Sequence, residues 1–245
     1  MIVTKEVHDI QTPTGTMRTY LYRPDAPGQF ASIIFYSEIF QQTTPIARTA
    51  TMLAGHGFVV LVPEVFHELN PIGTVLGYDD AGKDKGNIDK FTKPLQHHDS
   101  DTVSLVNFAR SLSFTTIHVG AMGVCIGGHL AYRAALNPDI LGAFCLYATD
   151  IHSNTLPCLP GEDSLSLTGN INGELVMVFG KQDPHVSAEG RTLIRQTLAD
   201  TGVEYTWLEV NAQHAFMRDE GERYDPALAL QMYLQAVAFF QRVLK

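Results

Sequence analysis

The chain has 245 residues, with 17 lysines and arginines against 26 aspartates and glutamates and a formal net charge of −9, which argues against a nucleic-acid groove or an anionic membrane as partner. Hydrophobic residues are 45% and charged residues 18%, enough apolar side chain for a large buried core and too little charge for a disordered chain. Cys125, Cys145 and Cys158 form no CxxC pair, so neither a disulfide framework nor a thiolate zinc site is encoded.

Residues 1–9 carry Lys5, Glu6 and Asp9 where a signal peptide would be apolar, and no stretch approaches the roughly 18 apolar residues of a membrane span. The expectation is an unexported, cytoplasmic protein without a membrane partner. From there, apolar runs alternate with amphipathic ones. Residues 31–36 (ASIIFY) and 58–62 (FVVLV) read as strands covered on both faces. Residues 63–100 follow, rich in Gly, Asp, Lys and Pro and without a sustained period; a connection this long predicts a lid or pocket wall. Residues 102–112 read as a helix capped by Asp101, 116–122 as a strand, 126–137 as a helix stopped at Asn137-Pro138, and 141–147 and 174–179 as strands. Residues 188–201 read as a helix between Ser187 and Gly202, 203–210 as a last strand, and 226–244 as a long helix opened by proline. The alternation predicts one α/β domain over residues 1–245, a central, mostly parallel sheet with helices on both faces.

The most informative stretch is Gly123-Val124-Cys125-Ile126-Gly127-Gly128, between a predicted strand and a predicted helix. It matches a nucleophile elbow with cysteine in place of serine, in which Gly123 and Gly127 sit where a Cβ would strike the neighbouring strand and helix. The helix N-terminus favours thiolate, and the Ile126 amide is free for an oxyanion. A buried structural cysteine is the plainer reading of the motif alone. A dinucleotide loop is excluded because Gly-x-Gly-x-x-Gly is absent at this turn.

Among ten histidines, His214 directly follows the strand that ends at residue 210, and Asp183 follows the strand of 174–179. Both fall where open α/β sheets bind ligands. The order nucleophile, acid, histidine is that of the α/β-hydrolase triad, with Cys125 attacking, His214 as base and Asp183 fixing its tautomer. His185 is the rival for the base. His67-Glu68 and His97-His98-Asp99 match no ligand spacing, so no metal and no cofactor are expected.

On these residues the sequence resembles the dienelactone hydrolase family over nearly its whole length. Ser37-Glu38-Ile39-Phe40, Val62-Pro63-Glu64-Val65-Phe66, the cysteine elbow, Asp183, and His214-Ala-Phe with Arg223-Tyr224-Asp225 carry the likeness. The resemblance implies an α/β-hydrolase fold and hydrolysis of an enol-lactone without a cofactor. It further implies that Glu38 contacts the resting thiol and helps to activate it, that the Ile39 amide joins that of Ile126 in an oxyanion hole, and that Arg218 holds a substrate carboxylate. Phe40 and Tyr147 join the expected substrate contacts. The family's other arginine has no counterpart before His97, where Lys83, Lys85, Lys90 and Lys93 stand, and lysine cannot offer a bidentate fork. The expectation is therefore a hydrolase of small lactones or activated esters acting through an acyl-cysteine. A broad esterase or thioesterase with promiscuous phosphotriesterase activity is the alternative, and a redox-sensing thiol protein a weaker one. Nothing in the sequence sets an oligomeric state.

Overall fold

The apolar runs become the middle of one eight-stranded sheet in the computed structural model, which describes residues 1–245. The strands are β1 (Val3–Thr12), β2 (Gly15–Pro24), β3 (Phe30–Tyr36), β4 (Val59–Pro63), β5 (Thr115–Val124), β6 (Ile140–Leu146), β7 (Glu174–Gly180) and β8 (Tyr205–Val210). Their spatial order is β1-β2-β4-β3-β5-β6-β7-β8; β1 and β2 run antiparallel and β3 to β8 are mutually parallel. Successive strand residues face opposite sides, and two cores result. Ile33, Phe35, Val60 and Val62 meet α1 (Thr44–Gly55) and α6 (Pro226–Val243). Ile34, Tyr36, Val59 and Leu61 share the opposite core with α3 (Leu95–Ser111), α4 (Ile126–Ala134) and α5 (Ala188–Thr201). No helix is long and apolar enough to cross a membrane.

The β1–β2 hairpin and α1 were not expected from the sequence. β1 is an edge strand with one buried residue, Ile10, so its alternation carries little hydrophobic contrast. A usable signal lay in β2, where Met17, Thr19 and Leu21 alternate inward behind the Pro13-Thr14 turn. In α1, Pro45 opens the helix and Ile46, Ala50, Leu53 and Ala54 bury one face, a spacing that was legible.

Residues 63–100, in which no sustained period is legible, nonetheless hold regular structure. α2 (Asp80–Lys90) is capped by Asp79, whose side chain accepts from the Gly82 amide at 2.7 Å. Its buried face consists of Gly82, Gly86 and Asp89, so hydrophobicity does not reveal its period. A Cβ on Gly86 would lie 2.8 Å from the Ile39 side chain; the missing side chain is what lets α2 rest on the β3–α1 loop. Helix α3 begins at Leu95 after Pro94, seven residues earlier than expected. Asp101, read as its cap, is a buried mid-helix residue that accepts from Lys93 at 2.6 Å and pairs with His67 at 3.1 Å. Ser187 and Gly202 cap α5 as expected.

Two buried histidines give the fold an acid limit. Burial, then neighbouring positive charge, holds His98 well below its ordinary value, and burial pulls His129, bonded to Ser164 at 2.7 Å, down to about 4. Both are neutral in the fold and protonate near 6.5 once unfolded, so their stabilisation is complete above 6.5 and is lost as pH falls below it, for His129 toward about 4. The expected loss is on the order of 1 kcal/mol per pH unit for each histidine. Urea midpoints measured between pH 7 and pH 5 should fall and His129→Asn should flatten the slope; a midpoint constant over that window would refute this account.

Candidate active site

Cys125 is the single residue between β5 and α4, with φ +59° and ψ −127°. That left-handed backbone holds its side chain above the sheet edge, half-exposed, while its amide donates to Leu146 O at 3.1 Å. The two expected glycines are demanded by contact. A Cβ on Gly123 would lie 1.8 Å from Gly127 O, and one on Gly127 2.2 Å from Tyr36 O at the end of β3. Tyr147, after β6, and Ala215, after β8, also take positive φ, +39° and +60°, so backbone strain concentrates along the carboxyl edge of the sheet.

Loops following β7 and β8 bring Asp183 and His214 together. His214 Nδ1 lies 2.7 Å from Asp183 Oδ2, with both residues buried, and the other Asp183 oxygen accepts the His185 amide at 2.8 Å. The carboxylate is thus fixed on both oxygens. Burial pulls the His214 imidazole down, but the neighbouring Cys125 charge and its hydrogen bonds with Asp183 and Cys125 outweigh this and push it up to about 10. The stabilisation from His214 is complete below its unfolded value near 6.5 and is lost as pH rises toward 10.

These groups sit in a pocket of about 370 Å³ lined by Glu38, Ile39, Phe40, Cys125, His214 and Arg218, together with Lys83, Asn87 and Lys90 of α2 and Thr149, Pro184, His185, Ala215 and Arg223. Neither the Ile39 nor the Ile126 amide donates to a loop or cap carbonyl, so both remain free donors beside Cys125. Glu38 is buried, and that burial raises its carboxyl above the ordinary range against the pull of Arg218. Its hydrogen-bond partner is Arg218 Nη1 at 3.4 Å, not the thiol. The Arg218 guanidinium lies 4.4 Å from the Tyr78 ring and 5.7 Å from Phe40, and its buried Nε has no partner in the protein.

Tyr147, expected to touch substrate, is instead fully buried and does not line this pocket; its ring packs edge-on against His214 at 5.2 Å and Phe216 at 5.2 Å. His185 stacks edge-on against His214 at 4.6 Å but does not share the buried hydrogen bond to the Asp183 side chain. The four lysines divide by partner. Lys93 is buried between Asp101 and Glu68, Lys85 pairs with Asp89, Lys90 pairs with Asp150 at 2.9 Å, and Lys83 is exposed at the rim. Sequence reasoning missed Tyr78, Asn87 and Thr149 and gave Arg223 no site role beyond its motif; all belong to loops and a helix whose approach to Cys125 no local pattern encodes.

Comparison with known proteins agrees with this architecture. A provisionally named carboxymethylenebutenolidase of Saccharomyces cerevisiae is 42% identical over 242 residues, spanning 93% of this chain and 88% of its own. The carboxymethylenebutenolidase of Rhodococcus opacus is 26% identical over 243 residues, 96% of this chain and 90% of its own. A provisionally named dienelactone hydrolase from Klebsiella pneumoniae superposes with a TM-score of 0.86 at 20% identity, covering 99% of this chain and all of its own. A dienelactone hydrolase-like promiscuous phosphotriesterase from metagenomic libraries superposes over the whole of both chains with a TM-score of 0.82 at 16% identity. The model of the dienelactone hydrolase family matches residues 17–244, and with the 42% identical relative it shows that this chain belongs to the dienelactone hydrolase family.

Proposed function

We propose that this chain hydrolyses lactones and activated carboxylic esters through a covalent acyl-Cys125 intermediate, without a cofactor. The observation that carries the reading is the half-exposed thiol at a strained elbow, beside an imidazole whose Nδ1 is held by buried Asp183 at 2.7 Å. Cys125 Sγ gives its proton to His214 Nε2 and attacks the carbonyl carbon. The Ile39 and Ile126 amides receive the oxyanion. Collapse breaks the bond to the leaving oxygen, which takes the proton from His214. Water, deprotonated by His214, then attacks the thioester and releases acid and thiol. Because thiolate leaves more readily than alkoxide, the intermediate goes forward only for good leaving groups, so enol esters, aryl esters and lactones are favoured over amides. Glu38, buried and bound to Arg218, lines the same pocket as Cys125 and acts on the thiol once substrate draws Arg218 away. Helix α2 serves as one wall of the pocket.

Supporting an acidic substrate are four cations, Lys83, Lys90, Arg218 and Arg223, against the single carboxylate Glu38 on the pocket lining. The unpartnered Nε of Arg218 fits one carboxylate of the substrate. Lys90 is neutralised by Asp150, which favours a substrate with one carboxylate over a diacid and keeps neutral esters within range. Arg218→Ala should raise KM for an acidic lactone about 10- to 100-fold, the worth of a charged hydrogen bond, with kcat little changed. Neutral aryl esters should change less than about threefold on the same scale. Equal losses on both substrates would assign Arg218 a structural role in the loop that carries His214. An aryloxide burst equal to the number of chains, with acyl-Cys125 trapped by mass spectrometry, tests the covalent step. Steady hydrolysis with no trapped adduct would remove it.

A further inference from the structure

Metal-ligating side chains converge in two places in this chain. In the first, His67, Glu68 and Asp101 offer ligand atoms within 4.8 Å of one another, but Lys93 supplies the cation there, with its ammonium 2.6 Å from Asp101 and 2.9 Å from Glu68. In the second, Asp183, His185 and His214 do the same, and no lysine or arginine pairs with them; the ion pair of Asp183 is with His214 alone.

We propose that Asp183, His185 and His214 bind one borderline divalent transition ion, zinc in the first instance, and that the bound ion switches the proposed hydrolase off. Two imidazoles and a carboxylate are a donor set that tetrahedral zinc accepts, with the fourth position left to water from the pocket. The Asp183–Pro184–His185 turn is already folded back by the amide of His185 on Asp183 Oδ1, which sets the second imidazole edge-on to the first at 4.6 Å. Ligands on one tetrahedral zinc lie about 3.3 Å apart, so the 2.7 Å contact between His214 and Asp183 opens by a few tenths of an ångström.

The consequence for the base follows from proton balance. A metal on His214 Nδ1 displaces the proton shared with Asp183. In a neutral imidazole that proton moves to Nε2, and in an imidazolium one proton passes to water. Either way Nε2 carries the remaining hydrogen and cannot take the thiol proton. No oxidation state changes. Magnesium and calcium, which prefer oxygen ligands, should not bind here.

The inference rests on the proposed role of His214 for its effect on turnover but not for binding, and the experiment separates the two. In the first arm, aryl ester hydrolysis is followed against zinc chloride, each protein normalised to its own metal-free rate. The wild type should be inhibited reversibly, with recovery on adding EDTA and no effect of magnesium, and His185→Ala should need at least 30-fold more zinc. In the second arm, zinc is titrated by calorimetry into Cys125→Ala and into the double variant with His185→Ala; the first should bind one ion and the second should lose it. Equal zinc sensitivity of wild type and His185→Ala, equal inhibition by magnesium, or loss of binding in Cys125→Ala, which would make the thiol a ligand, each overturns the proposal. Failure of the wild type to hydrolyse any ester would sink the hydrolase reading while the second arm still decides the site.

Discussion

Cys125→Ala and His214→Ala are each expected to lower kcat on an activated aryl ester by a factor on the order of 10⁴ or more, with Cys125→Ala melting near the wild type and His214→Ala, which leaves the buried Asp183 carboxylate unpaired, melting lower. Nucleophile and base act as a unit, so the double variant should be no worse than either single one. Asp183→Asn should cost on the order of 10⁴ as well, because it leaves the imidazole in the wrong tautomer. His185→Ala should stay within about tenfold of wild type on the same kinetic scale, since the Asp183 side chain holds His214 Nδ1 at 2.7 Å and gives His185 only a backbone contact. The reverse pattern, a silent His185→Ala and an active His214→Ala, would transfer the base to His185 and with it the chemistry to a solvent-exposed ring. Cys125→Ser should be weak, because an alcohol is far less acidic than the thiol this environment is shaped around.

Gly127→Ala carries the second large effect, and it is on stability. The added Cβ would lie 2.2 Å from Tyr36 O and 2.4 Å from Ser37 O, both backbone atoms at the end of a central strand, so no side-chain rotation relieves the clash. Overpacking of this kind costs about 3 kcal/mol or more, and the melting temperature should fall by roughly 10 °C. Gly55→Ala is the control, because nothing lies within 4 Å of its new Cβ and its φ is not positive; it should be neutral or slightly stabilising. A Gly127→Ala protein that melts with the wild type would mean that the elbow is looser than its contacts demand. Residual activity in a folded Gly127→Ala protein would report how far the shifted helix carries Cys125 from His214.

The parallel strands and the three candidate residues Cys125, Asp183 and His214 were legible in the sequence because each depends on local information. A strand buried on both faces must be a continuous apolar run, and a strained turn must carry glycine where a Cβ cannot fit. Loops after strands of a parallel sheet share one edge, so chain order alone sets the three residues on that edge. The caps of α5 and the proline that opens α6 belong to the same class of local signal.

Only the tertiary structure decided how the rest meets at Cys125. Helix α2 buries glycines in place of apolar side chains, and its approach to Ile39 is fixed by what is missing from Gly86, which hydrophobic patterning does not register. Lysines 83, 85, 90 and 93 look alike in sequence, yet close pairing neutralises three of them and leaves Lys83 at the rim with only a long, exposed contact to Asp80, because partners such as Asp150 come from distant segments. Tyr147 came to pack edge-on against His214, and Arg218 lies against the Tyr78 and Phe40 rings, for the same reason. The sequence by itself determined the sheet, the elbow and the order of its chemical groups, since these rest on local backbone geometry and apolar periodicity. The charge, shape and specificity of the pocket were decided by the fold, since they depend on pairings between residues far apart in the chain.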